Sequence, residues 1–179
     1  MKPFNSVSIV KHPVDLVWTT IRDRLPELVL YMEDVEKITP LKREERLNGV
    51  VSLDNLWQAN PKLPMLQSTR LDPDLFAWID RAEWDAGAFI CHWRIEPKLL
   101  PDQVQCSGVG RYEPALGGRG TRVTFEGRLG LSVQSLPGMP YLDGSLMKGV
   151  ELLASSLIPK NLRKMTEAVG SFLDQNPKR

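Results

Sequence analysis

Hydrophobic and polar residues alternate through most of the first 131 positions of this 179-residue chain. A period of two is what a strand shows when one of its faces is buried. Seven segments carry it: 4–10, 35–47, 50–59, 75–85, 88–96, 104–113 and 121–131. The breaks between them have turn chemistry. Asn48-Gly49 is the strongest short hairpin signal because both residues tolerate positive φ. Ala86-Gly87 and Gly117-Gly118-Arg119-Gly120 mark two further hairpins. After the first strand the period becomes helical, with Leu16, Val17, Ile21 and Leu25 on one side. Pro26 then suits the first turn of a second short helix over 27–32. The stretch 60–74 is rich in proline and polar residues and reads as a loop or strand edge. Last comes one long amphipathic helix, predicted over 142–173. Its stripe is Leu142, Leu146, Val150, Leu153 and Leu157, then Leu162, Met165, Val169 and Phe172. Such a helix spans roughly 45–50 Å, enough to cross a whole sheet. Pro159 lies inside it and is expected to kink or split it.

Alternation also predicts which side chains share a face. Taking Ala86-Gly87 as the centre of an even-numbered turn sets Trp84 opposite Phe89, Ala82 opposite Cys91, Asp80 opposite Trp93 and Trp78 opposite Ile95. One face then collects Trp78, Trp84, Phe89, Trp93 and Ile95, and the other Arg81, Glu83, His92, Arg94 and Glu96. In the last hairpin, pairing Tyr112 with Val123 sets Gly110 beside Phe125 and Gly108 beside Gly127. Two facing glycines leave room for close helix packing, for a cavity or for a bend in the sheet. Trp57 is placed on the inner face with Val51 and Leu53. Asp80 also falls on that face, among tryptophans. A carboxylate there has to pair, protonate or meet water. A structural hydrogen bond, a role in orienting a ligand and a catalytic role all remain open for it, and Tyr112 could place a hydroxyl in the same space.

Composition narrows the function classes. With 42% hydrophobic and 25% charged residues the chain reads as one globular domain over 1–179. A net charge of +1 gives no electrostatic case for nucleic acid or an anionic membrane surface. The run Lys42-Arg43-Glu44-Glu45-Arg46 reads as a solvated strand edge, and Lys160, Arg163 and Lys164 as the solvent face of the last helix. No signal peptide or apolar membrane span is recognised, so the expected location is the cytoplasm. Cys91 and Cys106 match no zinc or redox spacing and are expected to be buried free thiols, with a cross-strand disulfide as the alternative. The two histidines, His12 and His92, form no metal motif. There is no GxSxG elbow or phosphate-binding loop, and Gly108-Val109-Gly110 sits inside a strand. Neither a metal nor a cofactor is expected.

The order strand, two short helices, six strands, long helix resembles the START-like superfamily. So does the stretch from Phe76 to Asp85, Phe-Ala-Trp-Ile-Asp-Arg-Ala-Glu-Trp-Asp, followed by Cys91-His92-Trp93-Arg94. That superfamily includes pollen-allergen-like proteins, lipid-transfer START domains, and polyketide cyclases and aromatases. The resemblance implies an α+β helix-grip fold: a seven-stranded curved antiparallel sheet wrapped around one long C-terminal helix. It also implies a cavity for a lipid, polyketide, steroid or aromatic guest. No catalytic residue carries over. The walls of the expected ligand site are Trp57, Trp78, Trp84, Phe89, Trp93 and Phe125 from the sheet, with Leu146, Val150, Leu153 and Leu157 from the helix. Asp80 and Tyr112 are its expected polar groups. The leading expectation is a binder or carrier of a small apolar ligand, with no nucleic-acid partner and no stable membrane insertion. The alternatives are a cyclase- or aromatase-like enzyme, with Asp80 as acid/base and Tyr112 as donor, and a protein-interaction module with a filled interior. The oligomeric state is left open.

Overall fold

A computed structural model of the chain describes residues 1–68, 72–99, 101–131 and 157–177. Its elements are β1 (Lys2–Val10), α1 (Val14–Arg24), a 3-10 segment (Leu25–Tyr31), β2 (Val35–Glu45), β3 (Val50–Ala59), a single helical turn α2 (Pro64–Gln67), β4 (Ala77–Asp85), β5 (Ile90–Pro97), β6 (Val104–Ala115), β7 (Gly120–Leu131) and α3 (Ile158–Gln175). The strands form one curved antiparallel sheet in the order β1-β7-β6-β5-β4-β3-β2. Chain neighbours pair through hairpins, and β1 closes the far edge against β7. This is the helix-grip arrangement expected from the sequence. The second short helix before β2 is a 3-10 segment rather than an α-helix, with Pro26 in its first turn. Pro159 stands in the first turn of α3, where its missing N–H costs least. The preceding part of the predicted long helix, with Leu142, Leu146, Val150 and Leu153, lies outside the described residues.

Strand parity is as expected. Val51, Leu53 and Trp57, then Trp78, Ala82 and Trp84, then Cys91, Trp93 and Ile95 are buried on one face. His92 and Arg94 are exposed on the other. Register in the β4–β5 hairpin is shifted by two residues from the expectation. Trp84 pairs with Cys91, Ala82 with Trp93, and Asp80 with Ile95. The cause is local. The Asp85 carboxylate accepts the Gly87 and Ala88 N–H groups at 2.9 and 3.3 Å, which holds a four-residue turn over 86–89. Phe89 is therefore a turn residue with φ 51°, a left-handed conformation that costs a side chain roughly 1 kcal/mol. Its ring sits edge-on to Trp18 at 5.3 Å, contact that offsets the strain.

The last hairpin has the expected register, Tyr112 with Val123 and Gly108 with Gly127. The room left by the two glycines is taken by side chains of the sheet itself. A Cβ on Gly127 would lie 2.5 Å from the Phe4 ring and 2.7 Å from the Trp93 indole. A Cβ on Gly108 would meet Trp93 and the Glu126 carbonyl. Trp93 thus lies flat across the glycine row, with Phe4 6.0 Å away, centroid to centroid.

Helices cover the concave face. α1 packs on β6 and β7, and α3 packs on β1, α1 and the 3-10 segment. The buried side of α3 is Ile158, Asn161, Met165, Thr166, Ala168, Val169, Phe172 and Leu173, the spacing of one helical stripe. Its far end is fastened by Phe172 under the Arg24 guanidinium at 4.5 Å, by a Tyr31 hydroxyl donating to Gln175, and by a His12–Asp174 contact at 2.7 Å. Its near end is fastened by charge. Lys160 and Lys164, expected on the solvent face, instead reach the buried Asp34 Oδ2 at 2.8 and 3.1 Å. Their apolar stems run along the helix surface while the ammonium groups turn inward. Hydrogen bonding and charge attraction from both lysines act on the carboxylate together. Arg163 alone of the three is exposed. The charged run 42–46 on edge strand β2 is exposed, with ion pairs to Asp23 and Glu83 as well as within the run, as a solvated edge requires.

Two stability outcomes follow from this packing. Gly108→Ala is expected to cost about 1–3 kcal/mol or more in urea unfolding, because the backbone carbonyl of Glu126 cannot yield to a methyl group. A loss below about 0.5 kcal/mol would show that Trp93 does not cover the glycine row. For Asp34, burial raises the carboxyl, but Lys160 and Lys164 lower it by more, leaving it below its ordinary 3.8. A depressed folded-state value stabilises the protein above the unfolded value and ceases to do so as pH falls through the folded one. Asp34→Asn should therefore cost about 3 kcal/mol at neutral pH, and the difference from wild type should close as pH falls through and below the ordinary carboxylate range. A pH-independent difference would contradict the ion-pair origin.

Candidate functional site

The concave face of the sheet is an aromatic surface with two distinct regions. At the end covered by α1, Trp18 is the hub. Its ring meets Trp84 at 4.9 Å, Phe89 at 5.3 Å and Tyr112 at 5.0 Å, each edge to face. Tyr112 also touches Trp84 and Phe125, at 5.9 and 6.4 Å. Trp18 was not among the expected site residues. It stands three residues before Ile21 on the same helical stripe, which is the signal that could have found it. At the other end, Trp57 stacks on Trp78 at 5.7 Å and 22°, under the start of α3. There Trp57, Trp78, Asp80, Ile95, Ile158, Asn161 and Leu162 line a partly open void of about 10 Å³, the space of a single water molecule.

The expected wall residues Trp57, Trp78, Trp84, Trp93 and Phe125 are all buried on this face, as are Tyr112 and Leu157. Phe89 is half-buried in its turn. Leu146, Val150 and Leu153 lie outside the described residues. Asp80 and Tyr112 share the face without a hydrogen bond between them, although the Asp80 charge is felt at the Tyr112 phenol. Asp80 is in the row with Ile95 and Cys106, and Tyr112 is six residues further along β6, roughly 20 Å of strand. Tyr112 is not a wall of the Asp80 void. The residue that does meet Asp80 there is Asn161, which sequence reasoning missed. It occupies the α3 stripe between Leu157 and Met165, each four residues away, where a polar residue is easily read as solvent-facing. Asn55, also buried, is Asp80's partner on β3.

Electrostatics mark the whole face as poorly hydrated. Among the described residues no donor reaches the Asp80 carboxyl. The residue is partly exposed, so the carboxyl lies at the margin of the covered face with protein packed around it. Burial, helped by the negative charge of Asp54 behind the sheet, pushes it up to about 7. Burial and the Asp80 charge likewise push the Cys106 thiol up to about 12 and the Cys91 thiol well above its ordinary value. The Tyr112 phenol is raised by burial, then by Cys91 and Asp80. The thiols and the phenol stay neutral at physiological pH, so neither cysteine offers a thiolate nucleophile. Both cysteines are free and buried. Cys106 pairs with Ile95, four residues from Cys91, so about 13 Å of strand keeps the thiols apart. Arg81, on the outer face, is paired with Asp54 and Glu96. Among the described residues no three His, Cys, Asp or Glu side chains group as a metal site, and no helix is long and apolar enough to cross a membrane.

The second feature of the face is a set of unanswered hydrogen-bonding groups. The indole N–H groups of Trp18, Trp57, Trp84 and Trp93 and the Tyr112 hydroxyl are buried without a partner, and so is Asn161 Oδ1. Buried polar groups normally find partners, so a cluster of such exceptions needs a cause.

No family model matches the chain, and no curated protein matches it. Solved structures do. TTHA0849 from Thermus thermophilus is 19% identical, with 95% of each chain covered and a TM-score of 0.62. The Zhui aromatase/cyclase from Streptomyces sp. R1128 is 16% identical over 99% of this chain and 96% of its own, with a TM-score of 0.68. Norcoclaurine synthase from Thalictrum flavum, in complex with dopamine and hydroxybenzaldehyde, is 15% identical over 97% of this chain and 87% of its own, with a TM-score of 0.58. These likenesses establish the fold, the helix-grip arrangement expected from the element order.

The raised Asp80 value has a testable sign. A carboxyl held higher in the folded than in the unfolded chain keeps its proton on folding, so stability falls as pH rises from about 4 to about 7 and is then level. Asparagine imitates the protonated form at every pH. Asp80→Asn should therefore be more stable than wild type by about 1–3 kcal/mol at pH 8 and equal to it near pH 4, by chemical unfolding. A variant less stable than wild type at pH 8 would mean that the carboxylate is satisfied in the folded protein.

Proposed function

We propose that the chain is a ligand-binding domain over 1–179. In this reading it holds a small, largely apolar molecule between the concave sheet face and the helical layer, as a carrier working in the cytoplasm. The observation that carries the reading is the row of buried ring donors, Trp18, Trp57, Trp84, Trp93 and Tyr112, for which the described residues provide no acceptor. An interior evolved only to be filled would pair such groups or replace them with phenylalanine and leucine. A guest with an apolar body and oxygen acceptors would answer both the aromatic surface and its unpaired N–H and O–H groups. The reading favours a carrier over an enzyme because, among the described residues, Asp80 is the one titratable side chain lining its void. General acid–base chemistry asks for a second group converging on the same atom.

A cyclase-like enzyme is the second reading. Its support is the Asp80 carboxyl at about 7, able to give or take a proton at neutral pH, together with fold neighbours that include an aromatase/cyclase and a synthase. One experiment addresses both. Native mass spectrometry of the purified protein should show a bound small molecule, lost on denaturation and identifiable after extraction. Incubated with that compound, wild type and Asp80→Asn should both bind it and leave it unchanged. Turnover by wild type that vanishes in Asp80→Asn, with affinity kept, would favour the enzyme. A bare mass, together with tryptophan emission unmoved by saturating naphthol and oleate, would sink ligand binding altogether.

A further inference from the structure

We infer that the void between Asp80 and Asn161 is a seat for a single hydroxyl group of the ligand, and that this seat sets the protein's preference for neutral alcohols and phenols over acids and amines. The inference rests on the ligand-binding reading above and specifies its polar end. Three residues whose polar groups differ in hydrogen-bonding sense line the seat. Asn161 is 1% exposed and its Nδ2 donates to the Leu157 carbonyl at 2.8 Å. A carbonyl can only accept, so the amide cannot be turned round, and Oδ1 is the atom left buried without a donor. Trp57 is 3% exposed, and its indole N–H is buried without an acceptor. Asp80, facing them from β4, accepts when ionised and both donates and accepts when protonated.

Size and valence then select the occupant. The void of about 10 Å³ admits one non-hydrogen atom with its hydrogens. A hydroxyl oxygen is one such atom, and it can donate to Asn161 Oδ1 while accepting from Trp57. An ammonium group can pair with ionised Asp80 and donate to Asn161, but it has no lone pair for the Trp57 N–H, which it leaves unanswered. A carboxylate has two oxygens, no hydrogen for Asn161, and a charge that Asp80 repels. Among the described residues no free cation is at hand to reverse that repulsion. Lys160 and Lys164 are engaged by Asp34, and Arg81 points to the other face, engaged by Asp54 and Glu96. Water meets the same requirements, so it is the natural resting occupant. A hydroxyl on an apolar body replaces it without loss of hydrogen bonds.

The test is calorimetric titration of the full chain with four probes of one shape: naphthylmethanol, naphthylmethylamine, naphthylacetic acid and methylnaphthalene. Naphthylmethanol should bind tightest, about tenfold tighter than methylnaphthalene, the worth of one or two well-made hydrogen bonds. Asn161→Leu should remove that advantage while leaving methylnaphthalene affinity unchanged. Should Asn161→Leu fold poorly, Trp57→Phe, which keeps the ring and drops the N–H, should reduce the same advantage severalfold. Equal affinity for naphthylmethanol and methylnaphthalene, or a preference that survives both variants, would show a seat for structural water only and overturn the inference while leaving ligand binding intact. Tightest binding by naphthylmethylamine or naphthylacetic acid would overturn the hydroxyl assignment. No binding of any probe would refute the ligand-binding reading and the seat with it.

Discussion

A curved sheet whose concave face is aromatic cannot stay open to water, and everything else in this protein follows from covering that face. Tryptophan and phenylalanine rings bury a large apolar area each, at about 25 cal/mol per Å². Trp57, Trp78, Trp84 and Trp93 come from three adjacent strands and point the same way. α1 covers one end through Trp18, and α3 lies along β1 with its buried stripe inward. The polar ties at the margins, Asp34 with Lys160 and Lys164 and His12 with Asp174, fix where α3 lies rather than supply the driving force. Even the paired glycines of β6 and β7 serve this layer, since their missing side chains let Trp93 lie down against the backbone.

Covering the face with aromatic rings that carry N–H and O–H groups has a chemical consequence. Phenylalanine would bury as well and leave nothing unpaired. Tryptophan and tyrosine bring donors into a place where the described residues offer no acceptors. The same withdrawal from water lifts Asp80 to about 7 and holds the thiols and the phenol neutral. The interior is therefore apolar in area and polar at a few points, with a surplus of donors along the rings and acceptors concentrated at Asp80 and Asn161. That is the pattern of a recognition surface more than of a filled core.

Much of this was legible in the sequence, and the reason is the pleat. Face membership depends only on odd and even positions, so Trp57, Trp78, Asp80, Trp84 and Trp93 were placed inward correctly even where the hairpin register was two residues off. An even-numbered slip preserves the face. The register itself was hidden because the Asp85 side chain builds a wider turn than Ala86-Gly87 suggests, sending Phe89 into a left-handed turn position. Asn161 and the two inward lysines were missed for a shared reason. A polar residue on an amphipathic helix is read as solvent-facing, and only the fold shows that Asp34 and the Asp80 void lie beneath those positions. The helix stripe at Leu146, Val150 and Leu153 remains an expectation from periodicity.

The central claim, that the unpaired ring donors of the concave face are there to meet a ligand, can be read most directly from the donors themselves. Nitrogen-labelled tryptophan gives one indole N–H resonance for each of the five tryptophans. On saturation with naphthylmethanol, the Trp57 resonance and at least one of those of Trp84 and Trp93 should move downfield and exchange more slowly with solvent, as new hydrogen bonds form. All five resonances unmoved at saturating concentrations would contradict the claim and leave the aromatic face as core alone.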